Sequence, residues 1–413
     1  MSHIRRDVSL ASRLWLAAHR LWPSVSTQLV LEGSGTFEPS LWKRAVAVAS
    51  AANPGTRMVL KGHVHFSRWV DSGVTPPVRV MSTRQWDSFG SPGSEVINHY
   101  SPRTGPMAEV ILLEGEPARV LFRSHHALMD GRGTVTWAED VFRALRGEPV
   151  ADSEDRITEN VLLNISSKKP TGTAGGRFIA PTGAAVGSER GILWGHRVVS
   201  GRFSRLLPRI MILTAREAWR HGKGRVRFSV PVDLRPRRPG LKSSSNLTNA
   251  INLEVTPRST VEALAAEITH RLEQRRDGYL SMGERMVSFM PLYLMEHLLL
   301  GFARQGFRTG GYLYSGIISN MGLFSMDAFK GGGFAARTIR STPVCLEMVP
   351  FSLCITGVGD EVDLLVAMPK PLASNGRMED ILSRIARGLV EGGKSGSKSG
   401  TGPLDVLERN GMQ

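Results

Sequence analysis

An α/β fold in two lobes is the architecture this sequence predicts, and three observations carry it. The chain has 413 residues, beyond the length at which one hydrophobic core stops growing, so two lobes are expected. Apolar segments with strand and helix periods alternate along it. Between the two halves, residues 151–200 are rich in Gly, Ser, Thr and Pro, as in "KKPTGTAGGRFIAPTGAAVGSERG", and show no sustained periodicity, which marks a crossover. The expected organisation is an N-terminal lobe over 1–150, a crossover over 151–200, a C-terminal lobe over 201–391 and a flexible tail over 392–413.

In the first lobe, "FEPSLWKRAVAVASAANPG" places Leu41, Ala45, Val48 and Ala49 on one helical face and stops at "NPG", where proline and glycine end helices. A loop is expected through "TPPVRV" and "SFGSPGS". The runs "AEVILLEG" and "EPARVLFRS" then read as a hairpin. Next, "TVTWAEDVFRALRG" offers a capping box from Thr136 to Glu139, apolar Val141, Phe142 and Leu145, and a terminating Gly147. The intervening "HHALMDG" is therefore a strand-to-helix turn.

The second lobe repeats the alternation. It has a helix in "FSRLLPRIMILTAREAWRHG" and strands in "RVRFSVPV" and "AINLEV". A helix capped by Ser259 with Glu262 carries Val261, Leu264, Ile268 and Leu272 on one face. Strands follow at "YLYSGIIS", "FSLCITG" and "EVDLLVAM", the last two as a hairpin, and "RMEDILSRIARGLVEG" is the final helix. Beyond it, "GKSGSKSGTG" has linker composition.

Composition bounds the function. With 41% hydrophobic and 22% charged residues, the chain is an ordinary globular one. The net charge of +15 favours anionic partners. The basic residues are scattered, however, and no nucleic-acid-binding signature accompanies them, so nucleic acid is not an expected partner. The two cysteines, Cys345 and Cys354, fit neither a CxxC metal site nor a disulfide framework and read as buried thiols. "LASRLWLAAHRLWP" is broken by Arg13, His19 and Arg20 and makes no secretion signal. "MPLYLMEHLLLGFA" is interrupted by Pro291, Glu296 and His297 and is too short to span a bilayer. A cytoplasmic enzyme is the expectation.

"FRSHHALMDGRG" carries the chemistry. Adjacent residues on an extended chain point to opposite faces, so His125 and His126 are poorly placed to share one metal ion with Asp130. His63 and His65 are better spaced but lack a companion ligand, and no metal is expected. A neutral imidazole, by contrast, accepts a proton from a hydroxyl or amine at neutral pH. A carboxylate beside such a base would raise its pKa unless Asp130 is paired with an arginine elsewhere.

"HHALMDG" resembles the HHxxxDG motif of the superfamily that includes chloramphenicol acetyltransferase, nonribosomal peptide synthetase condensation domains, plant BAHD enzymes, polyketide-associated acyltransferases and wax ester synthases. The first helix, "RVRFSVPVDLRPR" with "SSSNLTNAINLEV", and "ISNMG" at 318–322 resemble further elements in the family's order, covering residues 25–390. The plant branch's DFGWG element is missing.

The resemblance implies a pseudodimer of two chloramphenicol-acetyltransferase-like lobes with a substrate tunnel between them. It implies His126 as general base, His125 shaping the loop, Asp130 turned toward Arg235, and Gly131 permitting the tight turn. Ser319, Asn320, Asn246 and Asn249 are the candidate oxyanion donors, although Ser and Asn in turns more often satisfy nearby backbone groups. The implied activity is stand-alone transfer of an acyl group from acyl-CoA or a phosphopantetheine-linked carrier to a hydroxyl or amine, in specialised metabolism. No tightly bound cofactor is expected, and a chain holding both lobes implies a monomer. Alternatives are a membrane-associated wax ester or diacylglycerol-type O-acyltransferase, suited by the basic surface and the apolar segment 286–303, and a non-catalytic recruitment module.

Overall fold

The computed structural model describes residues 4–22, 25–63, 66–82, 100–163, 177–275 and 289–395. Two six-stranded sheets form its frame. The first contains β2 (Ser26–Gly35), β5 (Val78–Ser82), β6 (Ala108–Glu114), β7 (Ala118–His125), β12 (Lys330–Gly331) and β13 (Phe334–Thr342), in the order β12-β13-β2-β7-β6-β5. The second runs β10-β9-β11-β14-β15-β8. Its strands are β8 (Ile192–Ser200), β9 (Val226–Asp233), β10 (Thr248–Val255), β11 (Gly316–Phe324), β14 (Ser352–Val358) and β15 (Glu361–Pro369). A small third sheet joins β1 (Arg5–Asp7), β4 (Arg68–Asp71) and β3 (Met58–Lys61).

The helices are α1 (Leu10–Leu21), α2 (Pro39–Ala52), α3 (Gly131–Leu145), α4 (Glu159–Leu162), α5 (Leu206–His221), α6 (Val261–Glu273), α7 (Leu292–Thr309), α8 (Lys370–Ala373) and α9 (Arg377–Ser395). The first core lies between the first sheet and α2 and α3, where Trp42, Trp137, Phe122 and Phe142 are fully buried. Each such side chain contributes about 1.5–3 kcal/mol by leaving water. The second core packs α5, α6 and α9 on the second sheet. Both cysteines are buried thiols.

Several expectations are corrected. α2 buries Trp42, Ala45, Val46 and Ala49, while Leu41 is half-buried and Val48 exposed, because the indole is the larger apolar group and takes the core. "VRV" lies in β5 rather than a loop; "SFGSPGS" lies outside the described residues, as does His65, and His63 lies just after β3. α3 starts five residues before Thr136, since the Asp130 side chain caps it by accepting from Gly133 N. Thr136 instead bonds the Arg132 carbonyl within the helix. α6 is capped by Thr260, not Ser259, whose hydroxyl takes Thr256 N. Residues 192–200 of the expected crossover form β8, and α9 runs to Ser395, past the expected start of the tail at 392.

The sheets do not divide where the chain does. β13 returns to the first sheet and pairs antiparallel with β2, Thr342 opposite Gln28. A Cβ on Gly33 would stand 2.0 Å from the Ala335 carbonyl oxygen, so glycine is what lets these backbones approach. From β13, Arg340 forms a buried ion pair with Asp363 of β15, joining the two sheets.

Candidate active site

β7 is buried along its whole length and delivers His125 at its end. The chain then turns and enters α3 at Asp130 and Gly131. The Asp130 carboxylate is buried and fully engaged. Its Oδ1 accepts from Gly133 N at 2.7 Å and Arg235 Nη2 at 3.0 Å. Its Oδ2 accepts from Arg235 Nη1 at 3.2 Å, Leu247 N at 2.7 Å and Thr248 Oγ1 at 2.9 Å. Burial alone would push this carboxyl's pKa up, but Arg235 and the backbone donors hold it below the usual range. Asp130 therefore stays charged and is consumed by structure.

His125 is fully buried, and its Nδ1 accepts from Ala127 N at 3.0 Å. Its proton must then sit on Nε2, which finds no acceptor among the described residues. The ring stands edge-on to His19 and Tyr100, with centroids 4.8 and 5.8 Å away. Burial, followed by the neighbouring His19 and His126, pushes its pKa well below the ordinary value. It is a buried, neutral imidazole whose Nδ1 lone pair is taken by the turn.

His126 differs. It is half-buried, with Nδ1 2.9 Å from Thr27 Oγ1 and 3.3 Å from the Met129 carbonyl oxygen. A carbonyl can only accept, and the Thr27 hydroxyl has the same carbonyl at 3.5 Å, so Nδ1 carries the proton and Nε2 the lone pair. No hydrogen bond engages Nε2 among the described residues. Trp15 of α1 packs edge-on against the ring at 4.3 Å. Burial lowers the pKa of His126, only partly offset by Asp130 and the Met129 carbonyl.

The structure gathers His125, His126, Asp130, Gly131, Arg235 and Asn246 at one place. Asn246 donates its amide to the His126 carbonyl at 2.8 Å and its backbone N–H to the Leu128 carbonyl at 3.0 Å. That side-chain donor is thus engaged by the turn itself. Asn249 of β10 and Asn320 of β11 turn their carbonyl oxygens to the nearby N–H groups of Ala250 and Gly322, local bonds to the backbone of the kind short polar side chains make. Ser319 lies opposite Cys354 in the β11–β14 ladder. Gly131 is the first residue of α3 and has no positive φ; a Cβ there would stand 3.0 Å from the Met321 Cε, the far end of a flexible side chain that could shift. Gly133 is tighter, with the Ser244 carbonyl oxygen 2.2 Å from its would-be Cβ.

Thr27 and Trp15 were not indicated by the sequence; a threonine in a strand and a tryptophan in an amphipathic helix look like ordinary packing residues. Among the described residues no three His, Cys, Asp or Glu side chains converge as a metal-binding set. Likewise, no described helix is long and apolar enough to cross a membrane.

No protein-family model matches this chain, and no curated protein matches its sequence. Solved structures do. A mutant of the starter condensation domain of rhizomide synthetase RzmA in complex with C8-CoA superposes with a TM-score of 0.62 at 16% identity, covering 94% of this chain and 95% of that one. The condensation domain of the Monacolin K polyketide synthase MokA gives 0.61 at 11% identity, covering 94% and 98%. Polyketide synthase associated protein 5 from Mycobacterium tuberculosis gives 0.60 at 12% identity, covering 93% and 97%. The fold is therefore the two-lobed α/β fold of condensation domains, as the HHxxxDG resemblance implied.

Proposed function

We propose that the protein is an acyltransferase moving an acyl group from a thioester, acyl-CoA or acyl-carrier protein, to an amine or hydroxyl. The observation that carries this reading is the state of His126: Nδ1 is committed to Thr27 and the Met129 carbonyl, and the Nε2 lone pair is unengaged among the described residues. Such an imidazole takes the proton from the attacking N–H or O–H as the new bond to the thioester carbon forms. The tetrahedral oxyanion then collapses, the C–S bond breaks, and the imidazolium returns the proton to the departing thiolate. A coenzyme A donor is supported by the RzmA domain crystallised with C8-CoA, and an amine acceptor by the same domain with C8-CoA and Leu-SNAC. Asp130 and Arg235 hold the turn without entering the proton transfer.

The test is mass spectrometry of products after incubation with octanoyl-CoA, or an octanoylated carrier protein, and a panel of amines and alcohols. Replacing His126 by Ala is expected to lower turnover about 10²–10⁴-fold. Turnover unchanged in that variant would overturn His126 as the base, and no product from any pair would favour a non-catalytic recruitment module.

One observation favours a second reading, an acyltransferase working at a membrane surface. α7 buries Met295, Leu299 and Ala303 against α1, yet Tyr293, Leu294, Leu298 and Phe302 on its other side are exposed, beside exposed Arg304 and Arg308. An apolar stripe edged by arginines suits an anionic bilayer. Sedimentation with anionic liposomes at low salt tests it, and absence of binding rejects it.

A further inference from the structure

Beneath the catalytic turn lies a second buried ion hub that the proton transfer does not use. Arg6 of β1 is only 4% exposed. Its Nη2 donates to the Leu128 carbonyl at 3.1 Å and its Nη1 to Ser245 Oγ. Ser245 Oγ in turn donates to Asp155 Oδ1 at 3.2 Å. Asp155 comes from the crossover, is 1% exposed, and is saturated. Ser243 Oγ and Ser244 N donate to its Oδ1 at 2.8 and 2.7 Å. Gly55 N, Ser153 Oγ and Ser244 Oγ donate to its Oδ2 at 2.8, 2.7 and 2.6 Å.

The serine run 243–245 is shared between two hubs. Its hydroxyls and the Ser244 amide face Asp155, while the carbonyls of Ser243 and Ser245 accept from Arg235 at 2.9 and 2.6 Å. Arg235 holds Asp130 at the far end of the turn. The Leu128 carbonyl is thus gripped by Arg6 and by Asn246 N, and the His126 carbonyl by the Asn246 amide. Strand β1, the crossover and the C-terminal half therefore all converge on residues 126–130.

A buried ion hub is a costly way to gain stability, since well-packed apolar residues often serve as well or better. Charge-assisted donors do, however, fix a carbonyl in place more tightly than packing does. We propose that Arg6 and Asp155 are positioning residues: through Ser245 and the Leu128 carbonyl they hold the turn in the geometry that sets Nδ1 of His126 against the Met129 carbonyl and leaves Nε2 unengaged. The proposal rests on His126 being the base, and it assigns the tautomer of that base to contacts made by β1, the crossover and Ser245.

The experiment is ¹⁵N NMR of the histidine ring nitrogens in the full chain, assigned with His126→Ala, alongside kinetics on whichever donor and acceptor the product screen identifies. The wild type is expected to show His126 protonated on Nδ1. In Arg6→Met the other tautomer gains population and the His126 titration midpoint moves. kcat falls about ten- to a hundredfold with KM nearly unchanged, the size expected when a base is misplaced by a fraction of an ångström to one ångström, and Arg6→Lys recovers part of the loss. If Arg6→Met does not fold, Ser245→Ala, which removes the relay oxygen and leaves both charges, is read the same way. A folded variant with unchanged tautomer and midpoint overturns the proposal. The NMR arm needs no substrate, so a chain inactive on every pair tested would sink the acyltransferase reading while the positioning claim is still decided.

Discussion

Each large sheet contains a hairpin whose second strand runs into a helix: β6–β7 into α3, and β14–β15 through α8 into α9. The receiving strands are alike, buried almost end to end. Their turns differ. In the first, Asp130 and the carbonyls of His126 and Leu128 are satisfied by Arg235, Asn246 and Arg6, none of them local. In the second, Arg377 donates to the carbonyls of Thr182, Ala184, Pro371 and Ser374, and Lys370 pairs with Glu189. The second turn is tied to nearby chain and to the crossover, the first to β1 and to the C-terminal half. The same scaffold thus appears twice, but among the described residues only one copy's turn holds a buried carboxylate, a buried imidazole and a half-buried one, and that turn is bonded to separate stretches of the chain.

This contrast can be broken or sharpened by measurement. The largest effect is expected from Arg235→Ala, which strands the buried Asp130 charge and should cost about 3–5 kcal/mol in denaturant unfolding. Arg377→Ala, at the matching turn, removes a half-exposed cation that meets carbonyl and hydroxyl oxygens and should cost about 1–2 kcal/mol. Equal losses would erase the distinction between the turns.

Acid should act next, and through the first turn. The pKa values of His125 and His126 are depressed in the folded chain, so below the unfolded value of about 6.5 the unfolded state binds protons that the folded state does not. Stability should be full above that pH and fall as pH drops through 6 toward 5, where Asp130 and Asp155, held below the ordinary carboxylate range, remain ionised. Urea unfolding at pH 7.5 and 5.5 measures this, and His125→Gln should flatten the difference. A slope unaffected by that variant would place the acid sensitivity elsewhere. The smallest effect is expected for Lys370→Ala, whose exposed pair should be worth about 0–1 kcal/mol.

The turn from His125 to Gly131 was legible as a strand-to-helix junction because its four fixed residues lie within seven positions of sequence and flank a strand end and a helix start. The Asp130–Arg235 pairing was legible only through resemblance, since 105 residues separate the partners. β13 was not seen: Ala335 and Ala336 weaken its apolar signal, and Arg337 and Arg340 interrupt it. The start of α3 was misplaced because Asp130 serves as both cap and ion partner, and "ST" at 259–260 offers two adjacent hydroxyls of which only the second caps. Arg6 and Asp155 sit among ordinary surface-type charges in the sequence, and nothing local marks them as buried.

The return of β13 to β2 also bears on how the chain is made. Thr342 meets Gln28 across 314 residues of sequence, and translation at 5–20 residues per second takes roughly 15–60 seconds to cover that distance. For that interval β2 waits on the ribosome with one edge lacking its partner, the kind of edge that recruits strands from other chains. The first half of this protein is synthesised early but finished late, so a nascent chain stalled between these two strands is where chaperone capture or aggregation would begin.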